Sequence, residues 1–149
     1  MQNGTKNRKK FKARVYRDAW SISDSFKDWL LPRLKCLREY NFGYPENRGS
    51  LENWNNELDE KICWLEYMTK IDCREHSKVD KFTDIYWNND EIMNHCSVVS
   101  NGYKTLQELK EMVSDSKADK ESLKQMYVSD ALHEMFGEWF GKNYGDLWW

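Results

Sequence analysis

The apolar residues of the first predicted helix, over about residues 24 to 41, recur at steps of three and four positions, the spacing of an amphipathic helix. Ser23 is its predicted N-cap, and Gly43 in the following Gly-Tyr-Pro turn is predicted to end it in the left-handed conformation. Pro32 lies inside this stretch, so either the helix kinks there or a new helical segment begins at the proline. The apolar stripe consists of Phe26, Trp29, Leu30, Leu34, Leu37 and Tyr40.

The clearest stripe follows Ser50, the predicted N-cap of a second helix that runs to about Cys73. The middle of the chain is less regular, because the polar residues 88–90 separate two shorter apolar runs. These runs predict two short helices, over about 79 to 86 and 90 to 99. The stripe of the second helix consists of Trp54, Leu58, Ile62, Leu65 and Met68.

Two capping signals precede helices in the last third of the chain. Thr105 and Glu108 form a predicted capping box, and Ser116 with Asp119 offers the cap of a long final helix. Apolar residues surround that helix from Ala131 onward, which is typical of a helix buried on several sides. The sequence shows neither strand-like alternation nor internal repeats. The pattern therefore predicts a single compact all-α domain of five or six helices with a buried C-terminal helix.

The composition supports a folded core, since the 149 residues include eight Trp, eight Tyr and six Phe. No apolar run approaches the roughly 18 residues that a membrane-spanning helix requires. The start of the chain is basic but lacks the apolar stretch of a signal peptide. We therefore expect a soluble protein in a cytoplasm, with no membrane partner.

The charge of the chain divides it into a basic arm, residues 1–17, and an acidic all-α domain, residues 18–149. The whole chain has a formal net charge of -2 and the arm has seven basic and no acidic residues, so the domain carries -9. The arm could bind the phosphates of a nucleic acid; a solvated tail is favoured, because it lacks the interleaved aromatics that stack bases. The acidic domain suits docking onto a basic surface. The candidate phosphate-binding residues are Lys6, Arg8, Lys9, Lys10, Lys12, Arg14 and Arg17.

Four widely spaced cysteines in a chain without an export signal predict reduced thiols. Cys36 and Cys63 lie within apolar runs and are predicted to be small buried hydrophobic residues. The other two cysteines stand near histidines, and a tetrahedral zinc site is a weak hypothesis for them. Surface histidines and half-buried thiols are the favoured alternative, because adjacent ligands strain a single tetrahedron. The four candidate ligands are Cys73, His76, His95 and Cys96.

The sequence gives no catalytic residue and no cofactor site. It contains no glycine-rich phosphate loop, nucleophile elbow or HExxH motif. Its paired carboxylates are expected by chance among 25 acidic residues. His133, between apolar neighbours of the final helix, is predicted to be a hydrogen-bonded structural histidine. We therefore expect a non-enzymatic protein.

Two pairs of adjacent aromatic residues are the predicted partner-binding elements. Consecutive helical side chains point about 100° apart, so one apolar stripe cannot bury both members of a pair. At least one exposed ring in each pair is therefore expected, and exposed Trp and Tyr are favoured anchors of protein interfaces. For the pair at the end of the chain, closure of the core as a plug is an equal alternative. The candidate residues are Tyr86, Trp87, Asp90, Glu91, Trp148 and Trp149.

The sequence from Arg17 to Trp149 resembles a set of small bacteriophage proteins of unknown function. The resemblance is carried by a Trp-Ser start at Trp20, the Gly-Tyr-Pro turn at Gly43, the Glu-x-Trp helix start at Glu52, and the Leu-Phe helix that ends in Leu147-Trp148. The chain departs from the pattern in residues 75–119 and in its Trp-Trp end. The resemblance implies a phage product acting in the cytoplasm of an infected bacterium, and it implies no catalytic residue.

These features together predict an accessory phage protein that binds a host protein and inhibits it, plausibly an anti-defence factor such as an inhibitor of a CRISPR effector. The acidic domain suits nucleic-acid-handling machines, whose grooves are basic. One alternative is a nucleic-acid-associated protein that uses the basic arm. Another is a small-molecule binder with an aromatic pocket between helices. The sequence makes no prediction of the oligomeric state.

Overall fold

The computed structural model describes residues 8–10, 12 and 22–147. Within them the chain is helical and contains no strand, which confirms the predicted all-α class. The helices of residues 22–147 are α1 (Ile22–Tyr40), α2 (Leu51–Asp72), α3 (Asp80–Trp87), α4 (Asp90–Met93), α5 (Ser97–Ser100), α6 (Leu106–Asp115) and α7 (Lys120–Asn143). Short 3-10 turns cover Glu46–Arg48, His76–Lys78 and Tyr144–Asp146.

Helix α7 is the centre of the domain, as predicted. It packs against α2, α3, α4, α5 and α6, whereas α1 packs chiefly on α2. Its N-cap is Asp119, whose carboxylate accepts a hydrogen bond from the Glu121 backbone; Ser116 instead ends α6. The buried core draws on α1 to α4, α6 and α7, and its fully buried large side chains include Trp54, Leu58, Leu65, Tyr67, Met93, Leu109 and Leu132.

The predicted starts of α2 and α6 are confirmed by their caps. Ser50 Oγ accepts a hydrogen bond from the Asn53 backbone at 3.1 Å, and Thr105 Oγ1 accepts one from the Glu108 backbone at 3.1 Å. Helix α1 runs without interruption through Pro32. Gly43 is not left-handed, which corrects that prediction.

The helix predicted over residues 90–99 is two helices, α4 and α5. Asp130 of α7 explains the break, because its carboxylate accepts hydrogen bonds from the Ser97 backbone at 2.7 Å and from Ser97 Oγ at 2.8 Å. This contact starts a new helix at Ser97, with three residues between it and the end of α4 at Met93. A tertiary contact across 33 positions of sequence therefore sets a local boundary.

The buried face of α1 is rotated relative to the predicted stripe. Lys27 lies in the core with Leu30, Leu34 and Leu37, while the predicted stripe members Phe26, Trp29 and Tyr40 are exposed. The rotation brings Lys27 to an ionic partner on α2 and a hydrogen-bond acceptor on α7, which are described below.

The burial predicted for the cysteines is wrong. Cys36 and Cys63 are exposed, because the helical position next to a buried residue points about 100° away from it. Cys96, assigned from sequence to the weak zinc set, is fully buried. No helix within residues 22–147 combines the length and the apolar character that crossing a bilayer requires.

Candidate functional site

An exposed apolar groove lies between α1 and the C-terminal end of α7. We call it the aromatic groove. Its volume is about 310 Å³. Its floor is made by leucines of α1, and aromatic side chains form its walls. The lining residues are Trp29, Leu30, Arg33, Leu34, Leu37, Phe140, Tyr144 and Leu147.

The aromatic rings around the groove contact one another and form a continuous ridge. The Phe26 ring meets the Phe140 ring edge to face, with centroids 5.2 Å apart, and stacks on Trp29 at 6.3 Å. Phe140 in turn contacts Tyr144 at 6.2 Å. Trp29 remains 52 % exposed and Tyr144 remains 68 % exposed. The ridge thus presents two large amphipathic rings to solvent at the mouth of an apolar groove.

Arg33 holds the exposed indole of Trp29 in place. Its guanidinium carbon lies 4.2 Å from the centre of the indole ring, a cation–π contact. Its Nη1 also donates a hydrogen bond of 2.7 Å to the backbone carbonyl of Trp29. Both contacts join residues one helical turn apart, so the indole is oriented before any partner binds.

Lys27 fixes the rotation of α1 behind the groove. Its ammonium group forms ion pairs with Asp72 of α2 and, at 3.5 Å, with Asp24. It also donates to His133 Nε2 of α7 at 2.7 Å. With Lys27 turned inward, its neighbour Phe26 and Trp29 two positions later lie at the edge of the buried face.

His133 is a hydrogen-bonded structural histidine, as predicted. Its Nδ1 lies 2.6 Å from the Ser129 carbonyl oxygen, which only accepts, so Nδ1 carries the proton and donates. Nε2 then carries the lone pair that accepts from Lys27. The two contacts select the neutral Nδ1–H tautomer.

A second concavity, the central cleft, lies between α2, α3, α4 and α7. It consists of two adjoining cavities of about 420 and 280 Å³ that share Lys61, Trp64, Glu91 and Met135. Lys61 Nζ lies 4.0 Å from the centre of the Trp64 ring and 5.8 Å from that of Trp139. The same ammonium pairs with Glu60 Oε1 at 2.5 Å. The cleft therefore has a cation held between two indoles at its centre.

Two ionisable groups of the central cleft stay protonated at neutral pH. Cys63 is exposed to solvent at the cleft, and the partial desolvation of its thiol there, helped by the nearby Glu66 carboxylate, raises its pKa. Burial also raises the pKa of Tyr86. Cys63 therefore reaches the cleft as a thiol, which is a weaker nucleophile than a thiolate.

The first predicted aromatic pair does not form an exposed interface, which corrects that prediction. Tyr86 and Trp87 are both buried, at 8 % and 7 % exposure. Helix α3 packs on α4 and α7, so neighbouring positions on it face different helices and both rings find cover. Asp90 is exposed and pairs with Lys110 at 2.9 Å, and Glu91 lines the central cleft.

Trp148 and Trp149 lie outside the described residues.

The four candidate zinc ligands are not brought together. Three of them have separate partners along α7: His76 Nδ1 donates to Gln125 at 2.6 Å, Cys96 Sγ donates to Asp130 at 3.3 Å, and His95 Nε2 lies 3.9 Å from Glu138. These partners are spread over 13 helical positions, a rise of roughly 20 Å. Cys73 is exposed at the end of α2. In the part of the chain that the structure describes, no group of three or more His, Cys, Asp or Glu side chains forms a metal site.

The structure describes only part of the predicted basic arm. Arg8, Lys9, Lys10 and Lys12 are exposed. The remaining predicted phosphate-binding residues, Lys6, Arg14 and Arg17, lie outside the described residues.

Sequence reasoning missed the aromatic groove because it placed Phe26 and Trp29 in the core-facing stripe of α1. One signal could have found it. The large apolar residues of α1 outnumber the positions of a single stripe, so some of them had to face outward. Which ones do so depends on Lys27, and no pattern of apolar residues predicts a buried lysine.

Comparison of the chain with protein-family models, with curated proteins and with solved structures found no significant match.

Proposed function

We propose that the protein acts by binding another protein, with the aromatic groove as the contact site. The observation that carries this proposal is the exposure of Trp29 and Tyr144 at the mouth of an apolar groove with a leucine floor. Apolar patches rimmed by polar residues mark interaction sites on soluble domains. Tryptophan and tyrosine are the residues that most often supply a large share of the binding free energy.

The chemistry of the groove favours an amphipathic segment of a partner protein. Leu30, Leu34 and Leu37 offer aliphatic contacts and no hydrogen-bonding side chains, which suits apolar side chains at helical spacing. Asp28 and Asp146 stand next to lining residues in the chain. Together with the net charge of -9 on residues 18–149, they favour basic residues beside the apolar ones in that segment.

The setting of this binding rests on the resemblance to bacteriophage proteins. This resemblance implies that the partner is a protein of the infected bacterium. The role we propose is inhibition of a defence machine such as a CRISPR effector. Such machines bind nucleic acid and therefore present basic surfaces, which an acidic protein reaches by fast, electrostatically steered association.

Affinity capture from infected cells with tagged variants tests this function. The wild-type protein should retain one partner, and Trp29→Ala should lose it, because truncating an interface anchor costs about 2 kcal/mol or more, or over tenfold in Kd. Tyr103→Ala is the matched control, since Tyr103 is 80 % exposed in the α5–α6 loop and does not line the groove. Equal recovery of the partner by both variants would exclude the groove as the contact site. Circular dichroism of each variant checks that it is folded.

A further inference from the structure

The Tyr86 side chain brings a hydroxyl without a protein partner to the central cleft. Tyr86 is 8 % exposed and lines the cavity of about 420 Å³. Its contacts are ring contacts with Tyr67 and Phe82, and its hydroxyl makes no hydrogen bond with any described residue. Among the described side chains, Glu121 Oε1 is the only oxygen or nitrogen that is both sealed from solvent and unpartnered. The Tyr86 hydroxyl therefore reaches open space, and it takes its partner from whatever fills the cavity.

Lys61 brings further donors to the same cavity. It is 8 % exposed, and its ammonium group has three N–H donors. It donates to Glu60 Oε1 at 2.5 Å, and its other contacts with described residues are the faces of the Trp64 and Trp139 rings. A ring face is a weaker partner for an ammonium than a charged oxygen is. Lys61 can therefore donate to one more oxygen in the cleft and keep Glu60.

Glu91 supplies the opposite charge at the edge of the cleft. It lines both cavities and is exposed, and its carboxylate forms no ion pair or hydrogen bond with a described residue. Apolar side chains, including Ile85, Ile92 and Met135, complete the wall of the larger cavity. The cleft thus combines unused donors, an unused carboxylate and an apolar wall.

We propose that the central cleft binds a small zwitterion, a molecule with a carboxylate, an ammonium group and an apolar side chain, as free apolar amino acids have. The ligand carboxylate accepts hydrogen bonds from Tyr86 and Lys61, and its ammonium group pairs with Glu91. Its apolar side chain packs on Ile85 and Met135. The cleft shares no lining residue with the aromatic groove, so this inference goes beyond the proposed function and does not depend on it.

The charges of the cleft select a zwitterion over a simple anion or cation. Two carboxylates, Glu60 and Glu91, and one ammonium, Lys61, line the larger cavity. A simple anion would meet both carboxylates, and a simple cation would leave the donors of Tyr86 and Lys61 unused. The volume of about 420 Å³ also lies within the range of small-molecule sites, roughly 300–1,000 Å³.

Three probes with the same phenyl group test the class of ligand. L-phenylalanine carries both charges, hydrocinnamate lacks the ammonium group and phenethylamine lacks the carboxylate. In calorimetric titrations of the purified full chain, L-phenylalanine should bind at one site. Phenethylamine should bind over tenfold more weakly, and hydrocinnamate several-fold more weakly because Glu91 is exposed. Equal affinity for L-phenylalanine and either single-charge probe, or no binding of L-phenylalanine at millimolar concentrations, would overturn the inference.

Tyr86→Phe separates ligand binding from stability. The hydroxyl has no partner among the described residues, so its removal should leave the denaturant midpoint unchanged. Binding of L-phenylalanine should weaken about fivefold, the effect of one lost hydrogen bond. Tyr103→Phe is the matched control, since Tyr103 is exposed and does not line the cleft. Unchanged affinity in Tyr86→Phe would overturn the inference.

Two charge variants locate the ends of the ligand. Lys61→Met keeps an apolar stem against Trp64 and should weaken binding of L-phenylalanine over tenfold. Glu91→Gln should weaken binding of L-phenylalanine several-fold and leave that of hydrocinnamate unchanged. Trp29→Ala should bind L-phenylalanine as the wild type does, so loss of the protein partner and loss of the amino acid are separate results. Wild-type affinity for L-phenylalanine in both Lys61→Met and Glu91→Gln would overturn the inference.

Discussion

Two lysines of α1 that pair with acids of α2 differ in what surrounds them. The side chain of Lys27 is 6 % exposed and contacts Asp72 and His133, whereas that of Lys35 is 51 % exposed and contacts Glu66 at 2.6 Å. A buried ammonium is tolerated only when its partners replace water, so its loss leaves those partners poorly satisfied.

Lys27→Ala should therefore lower the free energy of unfolding by about 1–3 kcal/mol. This is less than the cost of breaking a fully buried ion pair, because Asp72 retains some contact with water. Lys35→Ala should cost under about 1 kcal/mol, as solvent-exposed pairs do. Urea titration followed by tryptophan fluorescence measures both. Similar costs for the two variants would show that burial does not govern the contribution of Lys27.

Glu121, in the first turn of α7, is a carboxylate whose ionisation disfavours the folded state. Burial, and then the charges of Asp84 and Asp80 on α3, raise its pKa above the ordinary value of 4.5. A raised folded-state pKa means that the folded protein binds the proton more tightly than the unfolded chain does. The contribution of Glu121 to stability is thus greatest in acid, and it falls as the pH rises from 4.5 through the folded-state value.

Glu121→Gln should raise the free energy of unfolding at pH 7, by up to about 1 kcal/mol, and the gain should shrink towards pH 4. Glu134→Gln, at an exposed position on the same helix, should change little at either pH. Thermal or urea unfolding at the two pH values measures the difference. A gain that is equal at both pH values would point to hydrogen bonding rather than charge.

At the scale of elements, Arg48 joins the 3-10 turn before α2 to both long helices. It donates to the two carboxylate oxygens of Glu57 at 2.6 and 3.1 Å, and it also donates to Asn143 at the end of α7. Burial alone would raise the pKa of Glu57, but hydrogen bonds from Arg48 and from Trp139 outweigh it and lower that pKa. Glu57 therefore stays ionised at neutral pH and links three elements.

Arg38 offers a matched comparison, because it pairs with Asp59 of α2 in the same two-pronged geometry, at 2.7 and 3.1 Å. Its side chain is 36 % exposed and that of Asp59 is 49 % exposed, against 17 % and 23 % for Arg48 and Glu57. Arg48→Ala should cost about 2–3 kcal/mol and Arg38→Ala under about 1 kcal/mol in urea titrations. The reverse order would contradict the role assigned to Arg48.

The elements that sequence predicted well are those whose boundaries are local. Ser50 and Thr105 cap their helices through backbone donors three residues away, so a short window of sequence contains both partners. The break at residues 94–96 and the rotation of α1 depend instead on Asp130 and on the partners of Lys27, which are distant in sequence. The groove could not be predicted for the same reason. Whether a side chain is exposed depends on which distant parts of the chain pack against it.

At the scale of the whole molecule, we expect the uneven charge to favour binding of a protein over binding of a nucleic acid. Seven basic residues in the arm adjoin a domain of net charge -9, which repels the same phosphates. Fluorescence anisotropy with labelled DNA or RNA should show weak retention at low salt and none at physiological salt. Removal of residues 1–17 should abolish that retention and leave capture of the protein partner unchanged. Retention at physiological salt that depends on the arm would favour the nucleic-acid alternative.

The uneven packing of α1 and α7 against the rest of the domain implies an order of opening. Helix α7 packs on five other helices, so exposing its amides to solvent requires most of the domain to unfold. Helix α1 lies chiefly on α2, where its leucines and the ion pairs of Lys27, Lys35 and Arg38 hold it. Its backbone amides should therefore exchange with deuterium through a partial opening of lower free energy. In that opening α1 would separate as one cooperative unit and take the leucine floor of the groove with it.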